Sequence, residues 1–202
     1  MTPLKSALVG SLATVAVAIA GGLGYVAVTG LQASSQPSRF EVTVARAVRR
    51  FAVPGVVARR TNPTPASPEG LAEGLAHYAD HCASCHGLDG SGDTEMGRGL
   101  FPKAPDMRAA ATQQMNDGEL FYVIEHGVRF TGMPAWSTGT AVGERASWQL
   151  VHVVRHLPRL TAEEKARMET QMPRSSDAIR QEIEEEEFLN GGGEPPPATH
   201  SH

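Results

Sequence analysis

An all-α protein is what this sequence predicts, and three observations carry that reading. Ser6 to Leu31 is an uninterrupted run of 26 residues without a charge, composed of Ala, Val, Leu, Ile, Gly, Ser and Thr with one Tyr. Three later segments place apolar residues at three- and four-residue spacing, the period of a helix with one buried face. Each of those segments has a helix start or stop signal beside it. The averages add little: 202 residues, a formal net charge of −4, 41% hydrophobic residues and two cysteines. That length suits one ordinary domain with appendages. Two cysteines exclude a disulfide-stapled scaffold, and no long basic block points to nucleic acid. The distribution of charge says more. Residues 6–38 carry none, residues 39–60 hold six Arg against Glu41 alone, and residues 177–202 hold seven acids against Arg180.

In chain order, the first element is the apolar run. At ~1.5 Å per residue it makes roughly 39 Å of helix, enough to cross a ~30 Å hydrocarbon layer with some tilt. A cleaved secretory signal is the alternative, since Ala18-Ile19-Ala20 fits a small-residue cleavage site. The run continues through Tyr25 and Val28, which favours an anchor. Val44, Ala47, Val48 and Phe51 then follow helical spacing, with Arg46, Arg49 and Arg50 between them. This is a short basic amphipathic helix, suited either to a membrane surface or to a solvated linker. Pro54-Gly55 ends it, and Pro63, Pro65 and Pro68 read as a stiff tether.

A helix is expected from about Pro68 to Cys82, with Pro68 in its first turn, Glu69 at the positive end of its dipole, and Leu71, Leu75 and Tyr78 on its inner face. A second runs from about Asp117 to His126. Asn116 and Glu119 box its start, Gly127 stops it, and Leu120, Val123 and Ile124 form its apolar face. A third spans about Glu144 to Leu157, with Trp148, Val151 and Val154 inward and Pro158 ending it. Thr161 and Glu164 open a further charged helix that stops before Pro173. A last helix is expected from Ser176 to Phe188, after which Gly191-Gly192-Gly193 and Pro195-Pro196-Pro197 indicate disorder.

Both cysteines fall in one pattern, Cys82-Ala83-Ser84-Cys85-His86, the c-type haem attachment signature. The spacing has a mechanism: two thiols three residues apart at a helix end can add to the two vinyl groups of one porphyrin, with His86 held under the iron. A zinc site would need four ligands, and His81, Cys82, Cys85 and His86 are too crowded to close a tetrahedron. A thioredoxin-like pair would follow a strand in a βαβ unit, and no such pattern precedes it. A structural disulfide leaves the adjoining His without purpose.

A second axial ligand is sought among Met96, Met107, Met115 and Met133. Met96 lies in a Gly-rich loop ten residues from His86, and Met107 and Met115 flank an Ala-rich segment. Met133 sits in the turn Thr131-Gly132-Met133-Pro134-Ala135-Trp136, where Gly132 permits close backbone approach and Pro134 fixes the exit direction. A thioether there has no evident core to fill, so Met133 is the expected ligand. His126 and His152 are alternatives on predicted helices.

The Cys-x-x-Cys-His motif, the Gly-rich loop and the later Gly-Met-Pro-Ala-aromatic turn together resemble the class I c-type cytochromes. More narrowly they are similar to membrane-anchored bacterial monohaem cytochromes and the haem-c subunits of terminal oxidases. The resemblance covers residues 69–160. It implies a small all-α fold around one haem c attached through Cys82 and Cys85, with His86 and Met133 as axial ligands. It also implies that the first and last helices cross by a small residue and an aromatic, for which Gly74, Tyr78 and Trp148 are candidates. A proline carbonyl, from Pro102 or Pro105 and more readily Pro105, would accept the free N–H of the axial histidine.

The expected organisation is an anchor or signal (1–33), a basic amphipathic neck and Pro-rich tether (34–68), the haem domain (69–160), and a charged helical extension with a disordered acidic tail (161–202). The expected function is single-electron transfer between redox proteins, an oxidase or a quinol-oxidising complex, with no small-molecule substrate and no catalytic residues. An accessory haem-c subunit of a larger oxidoreductase, and a peroxidase-type enzyme with a vacant iron site, are the alternatives. The haem domain is expected in the periplasm, although the Arg-rich side of the run would by itself be drawn to the cytoplasm.

Overall fold

The computed structural model describes residues 3–173, apart from 31 and 34, together with 186, 188 and 189. The expected helix from Ser176 and the acidic tail lie outside the described residues. Among the described residues the structure is helical, with no strand. In order the helices are α1 (Pro3–Thr29), α2 (Arg39–Ala52), α3 (Gly55–Ala58), α4 (Pro68–His81), α5 (Ala83–His86), α6 (Glu95–Gly99), α7 (Ala110–Gln113), α8 (Asp117–His126), α9 (Ala141–His156) and α10 (Ala162–Glu169). One 3₁₀ turn, Leu157–Arg159, follows α9, where Pro158 prevents continuation of the α-helix.

α1 exposes its apolar side chains to the surroundings, and Ala7–Thr29 is long and apolar enough to cross a membrane. The domain proper is built on α4, α8 and α9. Ser67 caps α4, its hydroxyl accepting from the Gly70 N–H at 3.0 Å, and Pro68 occupies the first turn. The Glu119 carboxylate accepts from the Asn116 N–H at 2.7 Å, starting α8 as the sequence predicts. α9 begins three residues earlier than expected, because the Thr140 hydroxyl accepts from the Gly143 N–H and captures Ala141-Val142-Gly143 into the first turn.

The inward faces match the sequence pattern and extend it. Leu75, Tyr78, Leu120, Ile124, Trp148, Val151 and Val154 are buried in one cluster, with Leu71 and Val123 packed at its edge. Phe121, absent from the expected face of α8, is buried too, and its ring stacks on Trp148 with centroids 4.1 Å apart. α4 and α9 cross in close contact at Gly74: a Cβ there would lie 2.8 Å from Val153 Cγ2 and 3.1 Å from the Gln149 carbonyl oxygen. The crossing therefore uses Gly74 against Gln149 and Val153, while Trp148 turns to α8. Gly70 has no comparable neighbour and is not part of the close approach.

Two boundaries differ from the sequence reading. The neck and the stretch read as a stiff tether are docked on the domain. Val53 is buried, and the α3 backbone at Val57 lies against Gly118 on α8 closely enough to leave no room for a Cβ. Asn62 Nδ2 donates to the Trp148 carbonyl at 2.8 Å, and His152 Nε2 donates to the Thr64 carbonyl at 2.9 Å. Arg60 reaches Glu144 at 2.7 Å, with its guanidinium 5.0 Å from the Phe121 ring centroid and 5.1 Å from that of Trp148. At the other end α10 belongs to the core: Met168 is 1% exposed, and the Glu164 carboxylate holds His156 at 2.9 Å. Each contact adds cover to a core that about 92 residues alone would leave marginal.

The aromatic side chains of the domain divide between core and surface. Tyr78, Phe121 and Trp148 are buried, Trp136 packs at the margin, and Phe130 is 93% exposed.

Candidate haem site

Cys82 caps the end of α4, and Ala83–His86 continue as the single turn α5. The turn places both thiols and the imidazole within four residues of one another on one short helix. Both cysteines are free thiols rather than a disulfide. Burial pushes the Cys82 thiol up to about 12, with the neighbouring Cys85 adding to the shift, so it stays protonated at neutral pH.

The turn is held from three sides. The Tyr78 hydroxyl donates to the Gly87 carbonyl at 2.8 Å, tying the motif back to the core face of α4. Burial raises that phenol's pKa, so it remains a donor. The Thr94 hydroxyl lies between the Ser84 and Cys85 carbonyls at 2.8 and 3.1 Å, and the Gly92 N–H donates to the His86 carbonyl at 2.7 Å. The orphan carbonyls at the end of a helix are thereby satisfied. Neither Tyr78 as a tether nor Thr94 as a clasp was anticipated. A threonine three residues before Gly97, whose N–H it accepts at 2.8 Å, is the usual mark of a helix start and was the available signal.

The His86 imidazole is half-buried, and its Nδ1 is sealed from solvent without a hydrogen bond of full geometry. Desolvation lowers the imidazole's pKa, opposed by the Pro105 backbone, whose carbonyl lies toward the ring. Of the two prolines considered, Pro105 is thus the one facing His86. The same segment crowds the motif, since Gly92 abuts the Ala104 and Pro105 carbonyls where no Cβ would fit.

The second loop, residues 127–136, is brought to the motif. Trp136 lies on the ring of His81, the residue before Cys82, with centroids 5.1 Å apart. A Cβ on Gly132 would lie 2.5 Å from Leu100, so the segment that faces His86 at Pro105 also touches the loop of Met133. Gly127 starts this loop with φ +65°, and a Cβ there would meet the Met133 carbonyl oxygen at 2.6 Å. Backbone bonds close it: the Val128 N–H donates to the Met133 carbonyl at 3.1 Å and the Trp136 N–H to the Ile124 carbonyl at 3.1 Å. The Met133 N–H adds a bond to the Thr131 hydroxyl at 3.1 Å.

The other ligand candidates are engaged elsewhere or differently placed. Met107 and Met115 are buried in the core, and Met96 stands exposed on α6 rather than in an irregular loop. His126 is exposed, its Nδ1 donating to the Tyr122 carbonyl at 3.2 Å, and His152 is bound to Thr64. Glu125, which reads as a surface residue in the sequence, is 8% exposed and accepts from the Ser147 hydroxyl at 2.5 Å. Among the described residues no cluster of three His, Cys, Asp or Glu side chains is arranged to hold a metal ion by itself.

Two free thiols on one turn, a half-buried imidazole beside them, and a closed loop bearing Met133 packed on the same turn fit a covalently held haem.

Comparison with known proteins agrees. The family model for subunit III of cbb3-type cytochrome c oxidase matches residues 69–154. Two curated relatives, each named as the cbb3-type cytochrome c oxidase subunit FixP, come from Sinorhizobium medicae (strain WSM419) and Rhizobium meliloti (strain 1021). Each is 38% identical over 77 residues, 36% of this chain and 23% of the relative. The chain therefore spans about a quarter of the length of the curated relatives it matches. The matched stretch holds the motif, the segment of Pro105 and the loop of Met133 on one helical scaffold, and over residues 69–154 the chain is similar to the c-type cytochrome subunits of these oxidases.

Proposed function

We propose that this chain is a membrane-anchored monohaem cytochrome c that passes single electrons within, or to, a membrane oxidase complex of the cbb3 type. Cys82 and Cys85 would hold the haem covalently and His86 and Met133 would be its axial ligands. Bound there, the haem supplies one-electron Fe(II)/Fe(III) chemistry, and ligation by His and Met raises its potential relative to other ligand sets. The two cysteines supply one attachment site, so this chain carries one haem. The observation that carries the reading is the meeting of the two loops: Trp136 on His81, and Leu100 on Gly132.

The residues of the chain do the positioning. Tyr78 and Thr94 hold the motif's backbone, so the imidazole orientation is set before the iron is met. The Pro105 carbonyl, which lies toward the ring, would accept from its Nδ1–H, fixing the tautomer and strengthening the ligand. Gly127 and the bonds of Val128 and Trp136 close the Met133 loop. His86 and Met133 would both bind the iron, so the protein would leave it no position for a substrate. A peroxidase-type activity would require a distal acid or base, and Glu125 is spent on Ser147. A subunit in a larger oxidoreductase shares this chemistry, and the likeness to cbb3-type oxidase subunits supports it over a freely diffusing carrier. The anchor α1 keeps the haem near membrane complexes and raises its effective concentration for them. The haem domain then lies on the periplasmic side.

Spectroscopy tests the ligand set. The reduced, haem-loaded chain should show a low-spin c-type spectrum, and the oxidised form a weak near-infrared band from sulfur ligation. Met133→Ala should abolish that band and open the iron to carbon monoxide. A high-spin spectrum in the unaltered chain, with rapid carbon monoxide binding, would sink the electron-carrier reading.

A further inference from the structure

Among the described residues, α2 is an amphipathic helix outside the core whose apolar face points away from the domain. At 100° per residue, Phe40, Val44, Val48 and Phe51 fall within one stripe. All four are exposed, Phe40 at 77% and Phe51 at 92%. The opposite side carries Val42 and Arg49, which are half-buried, and Arg49 feels the charge of Glu119 on α8. The side toward the domain is therefore settled, and the stripe is not part of it. Arg39, Arg46 and Arg50 lie together on one flank of the stripe and are exposed. The only acid on the helix, Glu41, is occupied in capping, its carboxylate accepting from the Ser38 N–H at 2.6 Å.

Two features select the occupant of this face. α1 ends at Thr29 and α2 begins at Arg39, so nine intervening residues, at most ~32 Å of extended chain, keep α2 near the surface from which α1 emerges. The flank of three guanidinium groups matches the phosphates of anionic lipids, with the arginine stems lying over the apolar stripe. We infer that α2 is an interfacial helix, lying in the plane of the membrane with Phe40, Val44, Val48 and Phe51 in the acyl boundary and Arg39, Arg46 and Arg50 on anionic headgroups. This rests on the reading of α1 as an anchor. Val53 and the docked α3 follow α2 without a free linker, so the plane of α2 sets the tilt of the haem domain against the membrane. The six arginines of residues 39–60 then act as interfacial and docking groups, which removes their conflict with a periplasmic haem domain.

The test uses the full haem-loaded chain, one copy per nanodisc, with single substitutions Val44→Cys in the stripe and Ala45→Cys off it. The parent chain controls for background labelling. In discs containing phosphatidylglycerol, a polyethylene glycol maleimide should react several-fold more slowly at position 44 than at position 45. The difference should shrink in phosphatidylcholine discs, in high salt, and in the Arg39→Gln, Arg46→Gln, Arg50→Gln chain. Equal rates in anionic discs overturn the inference while leaving the anchor intact. Protection at position 44 that is indifferent to lipid charge overturns the headgroup contacts, and protection that needs a second copy or an oxidase subunit assigns the face to protein instead. A chain that fails to load into discs at all overturns the anchor, and this inference with it.

Discussion

The three packed helices and the two site loops of this domain are held by different forces. α4, α8 and α9 bury a continuous apolar cluster centred on Tyr78, Phe121, Trp148 and Val151, and such burial is non-directional and large. The motif turn adds Ala83 to that cluster and the Met133 loop adds Trp136 at its edge, but neither is positioned by apolar burial alone. They are kept in place by backbone hydrogen bonds, a hydroxyl at Thr94 and glycines where no Cβ fits. Each such bond contributes ~1 kcal/mol, so the loops depend on many small directional contacts. The helices can thus supply stability while the loops supply geometry, and substitutions in the two regions should separate those properties.

The largest effect is expected in the helices. Trp148 is 1% exposed, stacks on Phe121 and lies under Arg60. Trp148→Ala should cost about 3–5 kcal/mol, much of the ~5–15 kcal/mol available to a small domain. Urea unfolding of the haem-loaded chain followed by far-ultraviolet circular dichroism measures it. A loss under ~1 kcal/mol would mean that the cluster is not the main source of stability and would break the contrast.

An intermediate effect is expected where the regions join. Gly127 ends α8 at φ +65° and presses on the Met133 carbonyl. Gly127→Ala should cost about 1–2 kcal/mol through the left-handed backbone alone. The clash with Met133 should also weaken the near-infrared sulfur band while the helical signal stays unchanged. Equal loss of both signals would show that loop and helices form one cooperative unit.

What the sequence disclosed follows the same division. The helix starts at Pro68, Asn116 and Thr161, the faces of α4 and α9, and the Cys-x-x-Cys-His turn are local patterns, and the structure carries each of them. Pairings across long separations leave no local period. Asn62 with Trp148, Thr64 with His152 and Arg60 with Glu144 join residues more than eighty positions apart. They turn an expected tether into part of the domain. Glu125 and Met168 were obscure for a related reason: a glutamate reads as surface and an isolated methionine carries no periodicity, until Ser147 and the core receive them. The Met133 loop was legible as a turn, but its closeness to the motif rests on Trp136 meeting His81 across 55 positions.

The smallest effect probes the docked neck, which resembles the site loops in relying on polar contacts. The hydrogen bond from Arg60 holds the Glu144 carboxyl below the usual glutamate range, with the guanidinium charge adding to it. Because the folded state lowers this pKa, the stabilisation is complete above the unfolded value, about 4.3, and is lost as pH falls through the folded value. Both partners are about half exposed, so screening limits the pair to under ~1 kcal/mol. Glu144→Gln should therefore lower the urea midpoint slightly near neutral pH, and the difference from the parent chain should vanish in acid. Proteolysis between Arg59 and Pro68 should rise over the same acidic range in the parent, and near neutral pH it should be higher in the variant. A neck equally protected in both chains would place its docking in Val53, Val57 and Asn62 instead, and would move residues 53–64 from the polar, loop-like region of the molecule to the apolar, helical one.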